Sequence, residues 1–375
     1  MKELGIYVHI PFCKQKCSYC DFISYCDKND LIEKYISTLK QEIKNISANE
    51  YEISTIYIGG GTPSYIESKY IGEILNTIKQ KYNISKTAEI TIEVNPGTVT
   101  KEKLENYIKA GINRISIGLQ SCNNNLLKMI GRIHTYEDFL STYKLAREVG
   151  FKNINVDLMI GLPNQTLDDV KKSLKEISKL NPEHISVYSL IVEEGTPIEK
   201  KIENGQLKLP NEELERKEYW KVKKFLENSG YKHYEISNFA KTGYESKHNL
   251  NCWEQKEYLG FGAAAHSYMN RTRYSNTENI EEYINQKVKN EKLHIVHEIQ
   301  REEEQKKEYM LLGLRKIDGV QISSFKNKFG CNPIMEFKNE LNKLTREGLI
   351  EVDLNQIKLT EKGIDLANIV WEEFI

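Results

Sequence analysis

Three cysteines carry the clearest chemistry in the chain. Cys13-Lys-Gln-Lys-Cys17-Ser-Tyr-Cys20 sets three thiols within eight residues, in C-x3-C-x2-C spacing, after the alternating run Leu4, Ile6, Val8, Ile10. Three thiolates on one loop can wrap a single polynuclear centre. A structural zinc site wants four protein ligands, usually from two C-x2-C knuckles, and no second knuckle follows. Bacterial ferredoxin runs are spaced differently and supply four cysteines per cluster. Three cysteines on a 4Fe–4S cluster leave one iron open, which a cluster needs in order to bind a substrate directly. The competing readings are a zinc site completed by Cys26 or His9, or an incidental grouping.

Other residues with chemical potential stand singly. Gly59-Gly-Gly-Thr-Pro-Ser64 lets a backbone approach a ligand closely and leaves carbonyls free to accept from an ammonium group, although such a triplet alone is more often a turn. Glu93, in Ile-Glu-Val-Asn-Pro, can pair with an ammonium group or ribose hydroxyls, or serve as an ordinary polar strand end. Asp157 interrupts an apolar run and is costly to bury without a partner; a ligand hydroxyl or a nearby Arg would relieve that cost. Arg132, in Gly-Arg-Ile-His, carries a planar fork suited to a carboxylate.

The elements that must position these residues alternate. Strands are expected over 4–10, 55–58, 89–94, 114–119, 153–160 and 184–190, with amphipathic helices over 31–46, 69–82, 101–110, 135–149 and 167–180. Near-continuous apolar runs such as Asp157-Leu-Met-Ile-Gly-Leu fit strands buried on both faces, as in parallel sheets. Six βα units in succession give an α/β barrel or a partial one, with its chemistry beyond the carboxyl ends of the strands. Every motif above falls there. The expected domains are a barrel over 1–235, a connecting segment over 236–300, and a winged-helix-like unit over 301–375 made of three helices and a small hairpin.

Charge and composition narrow the function classes. The chain has 375 residues, 53 Lys+Arg and 54 Asp+Glu, a net charge of −1, so no basic field advertises nucleic acid or anionic lipid. Residues 301–375 carry 12 Lys/Arg against 14 Asp/Glu, and the helix that would read a duplex mixes Glu336, Lys338, Glu340, Lys343, Arg346 and Glu347. A duplex reader needs a basic face, so a packing or lid role is expected instead. Seven cysteines cannot all pair, which points to a reducing compartment. Lacking an apolar leader and any apolar run of roughly 18 residues, the chain is expected to be cytoplasmic, with no transmembrane segment.

The cysteine loop resembles that of the radical S-adenosylmethionine superfamily, and Tyr7-Val-His-Ile-Pro-Phe-Cys13 is similar to its oxygen-independent coproporphyrinogen III oxidase-like branch; the similarity runs through roughly residues 4–270. It implies a partial (βα)6 TIM-like barrel with a C-terminal helical domain. Cys13, Cys17 and Cys20 then hold a 4Fe–4S cluster. S-adenosylmethionine lies against Gly60, Gly61, Thr62 and Glu93, with Gln120, Arg132 and Asp157 at further cofactor positions and Tyr7 and Tyr19 flanking the cluster. The chemistry so implied is one-electron cleavage of the cofactor to methionine and a 5′-deoxyadenosyl radical, fed by an external electron donor.

Two departures distinguish relatives within the branch. The dehydrogenases carry a fourth cysteine, C-x3-C-x2-C-x-C, where this chain has Phe22; Cys20-Asp21-Phe22 is instead similar to the branch's haem-chaperone group. His248-Asn249-Leu-Asn-Cys252-Trp253 resembles that group's H-N-x-x-Y-W haem motif, with Cys252 in place of Tyr. The resemblance implies an axial imidazole from His248 and a flat face from Trp253 against the porphyrin, with Asn249 beside them. Cys252 is either a thiolate ligand or a small buried residue. The expected function is therefore binding of haem and its delivery to acceptor haemoproteins, respiratory ones being a candidate class. The alternatives are oxidative decarboxylation of coproporphyrinogen III, against which Phe22 argues, and a related radical methyltransferase. Cys26, Cys122 and Cys331 are expected to be small core or surface residues.

Overall fold

The computed structural model describes residues 2–288 and 294–375. Six parallel strands pair in chain order: β1 (Lys2–Ile10), β2 (Tyr51–Gly60), β3 (Asn83–Val94), β4 (Arg114–Gln120), β5 (Ile154–Ile160) and β6 (His184–Ser189). Helices Ile32–Asn45, Ser68–Lys81, Lys101–Lys109, Tyr136–Glu148 and Leu167–Leu180 connect them, as the amphipathic stretches imply. Thr135 with Asp138 and Thr166 with Asp169 form capping boxes, which fix where the fourth and fifth of these helices begin.

A period-two alternation explains the strands. Ile6, Val8 and Ile10 on β1, Ile56 and Ile58 on β2, Ile90 and Ile92 on β3, and Ile115, Ile117 and Leu119 on β4 face the helices in one continuous core. The intervening residues are polar or aromatic and face inward: Tyr7 and His9, Thr55 and Tyr57, Glu89 and Glu93, Arg114 and Ser116, Asn155 and Asp157, His184 and Ser186. Both faces are buried, as expected, yet only the outer one is apolar. Strands β2 and β3 begin several residues earlier than expected, because their first residues pair across register shifts at Leu4/Gly5 and Ile53/Thr55.

Residues 236–300 are more than a connection. β8 (Asn238–Ala240) pairs antiparallel with β6, and β7 (Lys232–Glu235) lies outside it. On the other side β9 (Tyr258–Phe261) runs parallel to β1, followed by antiparallel β10 (His266–Met269), β11 (Thr272–Asn276) and β12 (His294–Ile299). The result is one twelve-stranded sheet in which β1 and β6 do not pair, so the barrel is partial. Strands of three to six residues with polar alternation leave little periodic signal, which is why the sequence reading missed them. Residues 289–293 of that segment lie outside the described residues.

The C-terminal unit has its own core, with Met310, Leu314, Phe325, Leu344, Ile357, Val370 and Phe374 all buried. Helices Glu302–Gly313, Ile322–Phe329 and Lys338–Arg346 pack on a sheet of β13 (Val320–Gln321), β14 (Ile350–Val352) and β15 (Gln356–Leu359), ordered β13-β15-β14. This is the winged-helix-like arrangement expected, with the last helix broken into Glu361–Asp365 and Ala367–Glu372. Among the described residues no helix is long and apolar enough to cross a membrane. Because Ile117 is fully buried on the outer face of β4, Ile117→Ala should cost about 2–5 kcal/mol, read as a lowered urea midpoint with an unchanged slope.

Candidate functional site

The cysteine loop is stitched to the barrel at the carboxyl ends of β1 and β2. Cys13 N donates to Tyr25 O (3.0 Å), Gly61 N to Ile10 O (3.0 Å) and Thr62 N to Phe12 O (2.9 Å). Two glycines make this approach possible. Gly60 has φ +112°, and a Cβ there would stand 2.7 Å from the His9 ring; one at Gly61 would stand 2.9 Å from Cys13 Sγ. His9 has no ring nitrogen to spare: Nδ1 bonds Tyr7 Oη (3.0 Å) and Nε2 bonds Ile23 O (2.9 Å), while burial lowers its pKa to about 4. Cys26 is exposed and off the cavity. Of the two residues offered as completing a zinc site, His9 is thus engaged and Cys26 does not line the cavity. Among the described residues no three His, Cys, Asp or Glu side chains converge on a single-ion position.

The three thiols wall a cavity of about 580 Å³. Tyr19, Gly60, Gly61, Thr62, Glu93, Gln120, Arg132 and Asp157 line it too, so eight of the nine residues that the resemblance assigns to S-adenosylmethionine converge on one space. Tyr7 does not line it. Tyr57 of β2 stands in front, stacked on Tyr7 at 6.4 Å.

Glu93 Oε1 accepts from Tyr57 Oη (2.8 Å) and Oε2 from Gly60 N (3.3 Å). Burial, with Asp157 adding to it against the Tyr57 bond, pushes this carboxyl up to about 7. Asp157 accepts from Asn155 Nδ2 (2.6 Å) and Ser116 Oγ (3.2 Å), and burial raises its pKa. The partners that relieve its burial are therefore an amide and a hydroxyl of the barrel.

Arg132 departs from expectation. Its Nη2 donates to Gly118 O (2.8 Å) and Nη1 to Asn95 Oδ1 (3.0 Å), with Cys17 Sγ at 3.7 Å from Nη1. The fork is already engaged with the barrel and the cysteine loop, so no free carboxylate clamp is preformed; Nε remains buried without a partner. Gln120 has φ +72°, a left-handed backbone at a non-glycine residue that a strand end over a binding site can sustain.

Sequence reasoning missed Tyr57, Asn95 and Gly118. A Cβ at Gly118 would stand 2.6 Å from Arg132 Nη2, so that glycine makes room for the guanidinium. Asn95 also donates to Thr62 Oγ1 (2.9 Å), joining the glycine turn to Arg132. The available signal was period two: Tyr57 and Gly118 each stand two residues before a residue already singled out.

His248, Asn249, Cys252 and Trp253 lie elsewhere. Helix Lys247–Trp253 closes the amino-terminal mouth of the barrel, and its first N–H groups, from Lys247 and His248, each lie 3.1 Å from a Glu89 carboxylate oxygen. His248 Nδ1 bonds Thr55 Oγ1 (2.9 Å) and its ring stacks on Tyr57 at 5.1 Å. Burial, then the Arg114 charge, lowers its pKa to about 4, which leaves a neutral imidazole. Asn249 N donates to the capping Ser246 Oγ (3.4 Å). Burial pushes the Cys252 thiol up to about 11, the behaviour of a packed small residue. Tyr57 therefore stands between two compartments, the cysteine cavity above and the His248 helix below. Phe22 sits on the rim of the upper one with 63% of its surface exposed.

Glu93 gives the cavity a pH dependence. Below about pH 7 its carboxyl is protonated, so the affinity of an ammonium-bearing ligand in this cavity should fall from pH 8 to pH 6, by at most about tenfold per pH unit. Calorimetric titration with S-adenosylmethionine, the ligand that the sequence resemblance implies, should show this slope, and Glu93→Gln should flatten it.

Comparison with known proteins completes the site's description. The chain matches the Radical SAM superfamily model over residues 7–177 and the HemN C-terminal domain model over residues 301–366. It is 40% identical over 373 residues to the protein named heme chaperone HemW of Bacillus subtilis, covering 98% of each chain. It is 36% identical over 374 residues to the one so named from Lactococcus lactis, covering 100% of this chain and 98% of that one. The solved coproporphyrinogen III oxidase HemN of Escherichia coli superposes with a TM-score of 0.86 over 100% of this chain and 90% of that one; at 24% identity this shows the fold. Matching both domain models and 36–40% identical to these relatives over nearly the full length, the chain belongs to the HemW family of the radical S-adenosylmethionine superfamily.

Proposed function

We propose that this protein binds haem and delivers it to acceptor haemoproteins, on a scaffold that also holds a 4Fe–4S cluster and S-adenosylmethionine. The observation that carries the reading is similarity over nearly the full length to relatives named heme chaperones, joined to Phe22 at the place where the dehydrogenases of the branch have a fourth cysteine.

The donor set in the upper cavity fits the cluster and its cofactor. Cys13, Cys17 and Cys20 are free thiols on one wall. Gly60, Gly61 and Thr62 present backbone to the same space, where Glu93 suits an ammonium group and Asp157 a hydroxyl. Arg132, beside Cys17, supplies positive charge to a thiolate-bound centre and orients the loop. When bound, the pair supplies one-electron cleavage of a carbon–sulfur bond, with the electron drawn from an external donor. The barrel's own residues bind, orient and exclude water.

Haem is assigned to His248, Asn249, Cys252 and Trp253. Burial holds the His248 pKa down at about 4, which favours the neutral imidazole that could ligate a haem iron. For its ring to reach an iron it must leave Thr55 and Tyr57, so haem binding requires helix Lys247–Trp253, only seven residues long, to shift. The acceptors, respiratory haemoproteins among the candidates, lie in or face the cytoplasm, where thiols stay reduced.

Anaerobic reconstitution should give the broad charge-transfer absorbance of an iron–sulfur centre, and Cys17→Ser should abolish it; an intact spectrum in that variant would refute the cluster assignment. Haem titration should give a stable Soret band that weakens in His248→Ala, with equal retention removing His248 from the site. Efficient anaerobic conversion of coproporphyrinogen III by the same preparation would overturn the chaperone reading.

A further inference from the structure

Two of the three thiols are joined by side chains from outside the cysteine loop. Thr62 Oγ1 stands 3.3 Å from Cys13 Sγ and accepts from Asn95 Nδ2 at 2.9 Å. Asn95 Oδ1 accepts from Arg132 Nη1 at 3.0 Å, and the same nitrogen lies 3.7 Å from Cys17 Sγ. Thr62 follows β2, Asn95 follows β3 and Arg132 follows β4. The path Cys13–Thr62–Asn95–Arg132–Cys17 is therefore a strap across three strand ends, closed by the cysteine loop itself.

The sense of each bond in the strap is fixed. A guanidinium can only donate, so the Asn95 amide oxygen faces Arg132 and its NH2 faces Thr62. A thiolate holding a metal can only accept, so Thr62, which receives from Asn95, turns its own hydroxyl proton to Cys13. Both ends of the strap thus offer a hydrogen to sulfur, and the Cys17 end offers it from a cation.

Asn95 is tied down by its backbone. Its N donates to Ser64 Oγ (3.1 Å), and its O accepts from Thr98 Oγ1 (2.7 Å) and Thr98 N (3.2 Å). Lys103 Nζ binds Ser64 O (2.7 Å) and Thr98 O (3.1 Å), which fastens the turn after β3 to the one after β2. Gly118 O holds the other Arg132 nitrogen, Nη2, at 2.8 Å. The amide is the one group that touches both donors. Hydrogen bonds and positive charge at ligating sulfurs stabilise the more negative, reduced state of an iron–sulfur centre and raise its potential.

We propose that Asn95 is a positioning residue for electron uptake: it aims the Thr62 hydroxyl at the Cys13 sulfur and the Arg132 guanidinium at the Cys17 sulfur, which makes a cluster on these thiolates easier to reduce. The inference rests on the cluster reading above and adds Asn95, which neither the sequence nor the resemblance singled out. The external donor loses one electron and the cluster gains it. In the strap no covalent bond changes and no proton leaves its atom.

Redox titration of the cluster-loaded full chain, without S-adenosylmethionine and followed by electron paramagnetic resonance of the reduced cluster, provides the test. Asn95→Ala should lower the reduced-to-oxidised ratio at a given potential by about tenfold, a downward midpoint shift of roughly 59 mV for one electron. Thr62→Val keeps the side chain's shape and removes the hydroxyl; it should shift the midpoint the same way by less, and Thr62→Ser should restore it. The Thr62 pair decides the matter even if Asn95→Ala loads no cluster. An unshifted midpoint in Thr62→Val or in loaded Asn95→Ala, or a Thr62→Ser midpoint displaced as far as that of Thr62→Val, overturns the strap and leaves the cluster reading standing. No iron–sulfur absorbance in reconstituted wild type overturns both.

Discussion

A parallel strand buried on both faces has no solvent side, so polar groups that six strands carry inward must find partners inside the barrel. In this protein most do so layer by layer, with Thr91 Oγ1 and Arg114 Nε among the exceptions. Asn155 Oδ1 meets His184 Nδ1 at 2.6 Å, His184 Nε2 meets Tyr234 Oη at 2.7 Å, and Asp157 is held by Ser116 and Asn155. Glu89 receives the N-terminus of a helix that arrives from far along the chain. The remaining structure follows from this requirement. Apolar residues go outward to the helices, and the amino-terminal mouth is closed by a polar helix end. At the carboxyl-terminal mouth the polar groups left over become the lining of a cavity.

Tyr57 is where these layers meet. Its hydroxyl holds Glu93, one neighbour is Tyr7 and the other is His248. Whatever moves His248 off this ring alters the surroundings of Glu93. The two ends of the barrel, one carrying thiols and the other an imidazole, are therefore mechanically adjacent through a single aromatic side chain. The close glycine turn adds to this rigidity, because Gly60 touches both His9 and Glu93 and tolerates no side chain.

The C-terminal domain has its own core, yet much of its attachment is polar. Arg315 sits between Trp253 and Trp371, and Lys328 bonds Gln255 O (3.0 Å) with burial holding its ammonium down at about 8. Gln255 in turn donates to Glu308 and to Gln305 O. A domain interface held in good part by polar groups can open at lower cost than a purely hydrophobic one. That suits a domain placed over the His248 helix.

Much of this was legible in the sequence because it is encoded locally. Three thiols in C-x3-C-x2-C spacing, a glycine triplet after an apolar run and the period-two strands each depend on neighbours within one turn or one strand. They were enough to specify the parallel barrel and the carboxyl-end location of the cavity, while the nine residues that the family resemblance assigns to S-adenosylmethionine did not follow from spacing; eight of them line that cavity. What only tertiary structure decided are encounters between distant segments. Thr55 meets His248 across 193 positions and Arg132 meets Cys17 across 115, and each encounter depends on strand order and register rather than on any residue's own preference. Tyr57 in front of Tyr7, Arg132 engaged before any ligand arrives, six short strands added to the sheet edges, and Trp253 stacked under Arg315 all belong to that class. Spacing along a chain sets which groups share a loop or a face; only the packed sheet sets which of those faces meet.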